Sequence, residues 1–510
     1  MDADRSVQRR TLLVGFVATL LVTGDAAGFG ATTGILSEKL QLSSFASTFI
    51  ISAYALAAAA TLMVGGSLSD RYGHRRLIGV GTSLILVALP ASAAAQNGWT
   101  MAISRAIAGS GGALVTVSAL AAIAAAYGKT DRTRAYSYLT IAATIAYMVA
   151  PLAAGYLIEK PIWRFTPLFA IPMCVVVLAA LRLMPDEHAN SRSRLDWPGY
   201  VLSIVTTLFV FATASILTRT GFDAVGFAVL AASAGLVVLF VTWEARVADK
   251  AERKPVLDVR LFKNRSFGAV VSASVLGSFG TGAAFFLIGY LAQFVLEWSA
   301  VGTALVLIPA SLAGIVAALL SPYAERRLGM GHTIAIGFGL AGLAYIAIAT
   351  IFESNLWAAF IAVTVLSFAG NFNQPSINSA IVSSVTSGEA AALGTAATVK
   401  MLASTISLAI ITGVFASRYA EGLHSGLQLR DLEQEAHAIE QQSLAAIAQV
   451  ERALGGHGTA QAAVFDEAVT EAFLSALNVA MVIGAVAAFG AAAISWRMIG
   501  PGEKASRNER

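Results

Sequence analysis

Charge is scarce in this sequence: 13% of its 510 residues are Asp, Glu, Lys or Arg, whereas 57% are hydrophobic. Soluble domains carry charge on about a quarter of their residues, so most of this chain cannot face water. Cysteine is almost absent. The single thiol, Cys174, lies in an apolar run, which excludes a disulfide framework and a thiol metal cluster. Histidine is confined to the stretches between apolar runs (His74, His188, His332, His424, His437 and His457), so no imidazole serves chemistry inside them. A Gly-x-x-x-x-Gly-Lys-Ser/Thr loop is missing too, which removes ATP as the direct energy source. The apolar stretches are continuous and not alternating, which rules out a membrane barrel. A net charge of +4 does not indicate nucleic-acid binding, because the basic residues mark loops on one side of a membrane.

What the chain does have is a succession of long apolar runs, with a mean hydropathy of +0.72. About 20 apolar residues cross a bilayer, so fourteen crossings take about 280 residues, a little over half the chain. Fourteen spans are predicted, at 11–36, 44–68, 77–95, 99–127, 134–158, 163–184, 197–217, 223–244, 267–295, 300–323, 333–352, 356–384, 391–416 and 472–497. The first follows Arg5, Arg9 and Arg10 but outlasts a secretory signal and has no small-residue cleavage site after it, so it reads as a retained helix. With the N-terminus placed in the cytoplasm, 25 of the 34 Lys and Arg fall in inner segments and 7 in outer loops. Two, Arg105 and Lys400, lie inside spans. That bias puts both termini in the cytoplasm. An acidic outer loop at 417–470 carries Leu432, Ala436, Ile439, Ile447, Val450 and Leu454 at helical spacing, and reads as a helical flap outside the membrane without chemistry of its own.

Between the second and third spans stands Gly66-Ser-Leu-Ser-Asp70-Arg71-Tyr-Gly73-His74-Arg75-Arg76, and a weaker echo, Glu325-Arg326-Arg327-Leu-Gly329, follows the tenth. Glycines at 65 and 66 let two helices approach closely, Gly73 permits a tight turn, and the charges can pair or cap helix ends. A basic loop that only fixes topology would need neither the glycines nor the acid. The pattern resembles the cytoplasmic loop motif of the major facilitator superfamily, and the duplicated loop implies an internal repeat of the kind transporters carry.

The resemblance extends along the chain. Arg105-Ala-Ile-Ala-Gly109-Ser-Gly111-Gly-Ala113 is similar to the family's Arg-Gln-Gly-Gly-Ala pattern, with Ala108 where Gln is usual. Ala150-Pro151-Leu-Ala-Ala154-Gly155 resembles the antiporter motif Gly-Pro-x-x-Gly-Gly, of which only Pro151 and Gly155 remain, and Trp163-Arg164 follows. Leu195-Asp196-Trp197, and the stretch from Pro255 to Phe267, resemble the fourteen-span drug:proton antiporters. Span 1 keeps that family's Asp as Asp25, while Gly30 and Gly34 replace its Asn and Pro. The resemblance implies an all-α integral membrane fold: a six-helix bundle over 1–184, two inserted helices and a cytoplasmic linker over 185–266, and a second six-helix bundle over 267–510. It also implies a functional monomer in an inner (plasma) membrane.

An ionised group at mid-bilayer costs about 2.5 kcal/mol or more, so an idle one should be rare. The spans hold one deep acid, Asp25, and two deep bases, Arg105 and Lys400. At 1.5 Å per residue, Asp25 and Arg105 lie roughly 8 Å and 9 Å below the outer edge of the hydrocarbon core, at a shared depth. The resemblance adds that both spans face the central cavity. A proton switch follows as an expectation: ionised Asp25 pairs with Arg105 or draws in cargo, and protonation releases the partner. The alternative is a static pair that pins two helices. Lys400, near mid-membrane, is expected either to bind an anionic group and repel cations or to satisfy carbonyls.

Span 12 contains Asn371, Asn373, Gln374, Pro375, Ser376 and Asn378. Asn371, Gln374 and Asn378 fall at i, i+3 and i+7, on one helical face. They are expected to line a wet cavity or to bond between helices. Phe286, Tyr290 and Gln293 in span 9 are candidates for an aromatic wall opposite, with Tyr54 in span 2. Such a cavity suits bulky amphipathic cargo. The absence of a deep acid in spans 9–14 disfavours dications and leaves monocationic, neutral or weakly anionic molecules. The leading expectation is a proton-driven exporter of drugs or other small amphipathic molecules, with the proton gradient as energy source and no cofactor. Proton-coupled uptake, or export of one dedicated metabolite, is the alternative within transport. An intramembrane enzyme is disfavoured by spans without His and with one deep acid.

Overall fold

The computed structural model describes residues 2–39, 44–158, 160, 163–185, 194–220, 224–248, 253–257, 259–281, 284, 308–351, 356–428 and 460–499. These residues are almost wholly helical. The first group comprises α1 (Asp2–Lys39), α2 (Ser44–Tyr72), α3 (His74–Ala93), α4 (Gly98–Ala126), α5 (Lys129–Ile158) and α6 (Ile171–Ala180), the last preceded by a 3-10 helix at Trp163–Ala170. Then come α7 (Trp197–Thr220) and α8 (Ala224–Ala248). The final group is α9 (Arg265–Ser278), α10 (Ile308–Leu328), α11 (Met330–Ile351), α12 (Leu356–Ser383), α13 (Glu389–Gln428) and α14 (Ala460–Met498). Two-residue strands at Arg194–Leu195 and Arg253–Lys254 pair in parallel and tie together the segments flanking α7 and α8.

Ten helices among the described residues are long and apolar enough to cross a membrane by length and composition. Large apolar side chains such as Val87, Ile361 and Val486 remain exposed on their outer faces, as lipid contact requires. The chain is a multi-pass membrane protein.

Packing sorts the helices. α4 is the most enclosed of the first group, set between α2 and α3. Its entry is fixed by a capping box, in which Asn97 Oδ1 accepts from Thr100 N at 3.0 Å. Its seam with α3 is glycine on both sides: a Cβ on Gly81 would come 2.5 Å from Gly111 O, and a Cβ on Gly111 equally near Gly81 O. In the last group, α14 packs along α11, α13 and α9, around a core of Tyr345, Ile348, Phe415, Phe473 and Met481. The two groups meet where α2 lies against α13 and where α5 lies against α10 and α12.

Helices α7 and α8 lean on each other, and α7 also touches α2 and α13. Their attachment uses two fully buried carboxylates. Trp243 Nε1 donates to Asp196 Oδ2 at 2.9 Å, and Leu257 N donates to Glu244 Oε2 at 3.0 Å. Ser67 Oγ of α2 then donates to Val256 O at 3.2 Å, so the linker after α8 is fastened to α2 one residue from Gly66.

Several expected boundaries need correction. The ninth span was expected to run unbroken over 267–295, but α9 ends at Ser278. There the chain enters the left-handed region at Gly280 (φ 114), which sits against the backbone of Gly484. Apolar composition does not encode that break. The sixth span starts as a 3-10 turn containing Pro167 and becomes α-helical only at Ile171. Helix enters the stretch expected as a helical outer loop at 417–470 from both sides: α13 continues to Gln428 and α14 begins at Ala460. The six apolar positions of the flap, from Leu432 to Leu454, lie outside the described residues.

Candidate functional site

Asp25 and Arg105 meet. Arg105 Nη1 donates to Asp25 Oδ1 at 3.0 Å and Nη2 to Oδ2 at 3.1 Å, a two-pronged pair with side chains 1% and 2% exposed. The guanidinium also lies over two rings, 4.1 Å from the centroid of Phe29 and 4.7 Å from that of Tyr54. Aromatic faces attract a desolvated cation, so both rings hold Arg105 in place. The glycines after Arg105 make this possible. A Cβ on Gly109 would overlap the carbonyl of Tyr54, and one on Gly112 would press on its hydroxyl at 2.7 Å. Glycine lets α4 approach α2 until Tyr54 covers the guanidinium. On its other side Asp25 borders a small cavity of about 10 Å³ within the first helix group, lined also by Phe29, Thr32, Arg164, Thr166 and Phe169. Thr166 is buried and its hydroxyl finds no partner among the described residues.

Lys400 lies half-buried on α13, and its Nζ donates to Gln374 Oε1 of α12 at 2.9 Å. Gln374 Nε2 in turn donates to Asn378 Oδ1 at 3.1 Å. Two candidates from one face of the twelfth span thus form one chain with Lys400, which was singled out for its charge. Asn371 does not join it and bonds between helices instead: its Oδ1 accepts from Thr144 Oγ1 of α5 at 2.8 Å and its Nδ2 donates to Ser367 O. Asn373 is buried against Gly337 of α11. Phe286, Tyr290 and Gln293 lie outside the described residues.

The loop motif closes one end of the helix groups. Asp70 Oδ1 and Oδ2 accept from Ala390 N and Ala391 N at 3.2 and 3.1 Å, so this carboxylate of α2 caps the first turn of α13. A negative group suits the positive end of a helix. Gly66 is required there, since a Cβ on it would strike Ala390 O, and a Cβ on Gly394 would strike Leu62 O. Gly73 makes the turn into α3 with φ 92, and Gly329 makes the matching turn into α11 with φ 86. Arg71 lies 5.4 Å from the ring centroid of Tyr72. Arg75 stands in the first turn of α3, half-buried. Between α4 and α5, Tyr127 Oη donates to Gln8 O at 3.0 Å.

Sequence reasoning missed what Glu325 does. Its Oε1 accepts from Thr133 Oγ1 of α5 at 2.8 Å, and its Oε2 accepts from Ser376 Oγ of α12. Beside it Arg326 Nη2 lies 3.0 Å from Asp131 Oδ1 in an exposed pair. The signal was there in the echo of the first loop, but the partner, Thr133, is an ordinary threonine. In α5, Pro151 stands within the helix, and a Cβ on Gly155 would meet nothing within 4 Å. Packing among the described residues does not explain why Gly155 is glycine.

The family model of the Major Facilitator Superfamily matches residues 15–408. The chain belongs to this superfamily. It is 26% identical over 413 residues to the multidrug efflux pump LfrA of Mycolicibacterium smegmatis, covering 80% of this chain and 81% of that one. Against the puromycin resistance protein pur8 of Streptomyces alboniger the identity is 28% over 345 residues, with 65% and 66% covered. Its fold matches the xylose transporter XylE from E. coli with a TM-score of 0.57 at 14% identity, over 98% of this chain and 99% of that one. Membership makes the chain a transporter and removes the enzyme reading.

Proposed function

We propose that this superfamily member is a proton-coupled secondary transporter that exports drugs or other small amphipathic molecules. In this reading it has fourteen spans, divided at 184 and 266, with both termini in the cytoplasm of an inner (plasma) membrane. It works as a monomer with the proton gradient as its energy source and no cofactor. The observation that carries the reading is the buried, two-pronged contact between Asp25 and Arg105. A carboxylate can leave a guanidinium in a dry site only by taking a proton, because an unpaired buried charge is far more costly than a neutral acid. Each protonation of Asp25 then loosens α1 from α4, and each deprotonation restores the clamp. The multidrug and puromycin resistance relatives support export as the direction.

The cargo site in this reading lies between Tyr54 and the Lys400–Gln374–Asn378 chain. The motif residues Gly66, Asp70, Arg71, Gly73 and Arg75 close the cytoplasmic end, and Pro151 with Gly155 belongs to the helix across which export is gated. The test is transport in vesicles under an imposed pH gradient, comparing wild type with Asp25→Asn. Gradient-driven transport is expected in the wild type alone. Its survival in Asp25→Asn overturns the proton switch. Expression in an efflux-deficient host settles direction: resistance supports export, and increased accumulation supports uptake.

A further inference from the structure

Arg105 and Lys400 are both cations inside the helix groups, yet the fold treats them differently. Arg105 has a carboxylate on both prongs. Lys400 has an amide oxygen, Gln374 Oε1, as its whole polar contact among the described residues. An ammonium carries three N–H donors, so one is used and two remain, together with the full charge. The amide chain amplifies this polarity: Asn378 accepts from Gln374 Nε2, which turns the Gln374 oxygen toward the ammonium, and among the described residues no carboxylate bonds to it.

Position places Lys400 at the meeting of the two helix groups. α2 and α13 run antiparallel, with Gly66 facing Ala390, Leu62 facing Gly394, and Thr398 Oγ1 donating to Ala59 O at 3.3 Å. Continuing that register two residues past Thr398 sets Lys400 at the level of residues 54–57 of α2. Tyr54 begins that stretch, and it covers Arg105. At this level the first group therefore offers an aromatic ring over a neutralised pair, and the second offers a lysine that no carboxylate pairs among the described residues. A lysine kept for structure in hydrocarbon is ordinarily paired with a carboxylate, because the lone charge is costly. A partly exposed one with donors to spare matches a ligand that brings the negative charge with it.

We propose that Lys400 binds an anionic group of the transported compound, so that the preferred cargo is an amphipathic organic anion with a carboxylate or similar oxyanion. The apolar body rests toward Tyr54, and Gln374 holds the ammonium in place by its amide oxygen. This rests on the reading of the same residues as the cargo site, but not on proton coupling.

Equilibrium dialysis of the full chain in lipid nanodiscs at pH 7.5, without a pH gradient and with empty nanodiscs subtracted, tests it. The probes are radiolabelled 1-naphthaleneacetate and its methyl ester, which differ in charge and hardly in shape. The wild type is expected to bind the acid about tenfold more tightly than the ester, the scale of one hydrogen bond to a charged group. Lys400→Gln should erase that preference and Lys400→Arg should keep most of it. Asp25→Asn should leave the preference in place even where it abolishes gradient-driven transport, which separates failure of this inference from failure of the proton switch. Equal binding of acid and ester by the wild type, no saturable binding of the acid, or an unchanged preference in a folded Lys400→Gln protein overturns the proposal.

Discussion

Asp70 and Glu325 stand at matching places in the two copies of the loop motif, and each reaches across to the other helix group. Asp70, on α2, accepts from the first backbone amides of α13. Glu325, on α10, accepts from Thr133 of α5. The two latches are reciprocal, one from each group, and both lie at the end marked by Gly73 and Gly329. Closing this end therefore depends on two carboxylates that must find their partners together.

Asp70→Ala removes one latch. Loss of a carboxylate cap at a helix start costs about 0.5–2 kcal/mol, which shifts a two-state equilibrium by roughly 2- to 30-fold. Spin labels at the starts of α3 and α13 should report a longer mean distance, and Glu325→Ala should show the same widening between α5 and α10. Unchanged distances in both variants would remove the latch role.

Gly66→Ala and Gly155→Ala make opposite predictions for two motif glycines. A methyl at 66 drives into Ala390 O, whereas a methyl at 155 meets nothing within 4 Å. Overpacking of this kind costs about 1–3 kcal/mol. Gly66→Ala should lower transport at least tenfold while the protein still folds, because only the closed seam requires the contact. Gly155→Ala should transport like the wild type. The check is initial rate in vesicles against folded protein measured by size-exclusion chromatography.

Arg105→Met should lower the thermal midpoint sharply, since breaking a buried pair costs about 3–5 kcal/mol. The double variant Asp25→Asn/Arg105→Met should regain most of that loss, because neither charge is left alone. Melting of the purified variants by intrinsic fluorescence measures both steps. An additive double variant would mean that the two side chains do not depend on each other.

Glu244→Ala takes away the acceptor of Leu257 N and with it the hold on the linker after α8. Local opening should then become easier without global unfolding. Trypsin should cut between Arg253 and Lys254 about tenfold faster, the ratio that about 1.4 kcal/mol of lost protection gives. Cleavage at the wild-type rate would show that the Ser67–Val256 contact alone secures the segment.

The sequence made the acid–base pair legible because depth follows from residue count: Asp25 and Arg105 fall at one level when helices rise 1.5 Å per residue. The loop motif and its echo were legible for a similar reason, as glycine and acid at fixed spacing. What pattern alone could not supply were partners from distant segments. Lys400 and Gln374 are 26 residues apart on different helices, and nothing in either run marks the other. Asn371 shares a helical face with Gln374, yet a threonine of α5 claims it. Asp196 and Glu244 stand at the edges of the predicted seventh and eighth spans, yet both are buried, one bonded by Trp243 and the other by the linker amide of Leu257. The break after Ser278 depends on one backbone angle at Gly280, which hydropathy does not record.

The seam of α2 and α13 has glycine on each side, Gly66 under Ala390 and Gly394 under Leu62, one turn apart in opposite directions. Such a seam mates at a single register: a shift of one residue sets side chains where only bare backbone fits. The helices cannot creep past each other by degrees, so they must part and snap home again. The joint behaves as a detent, which favours two discrete postures over a continuum of half-open ones.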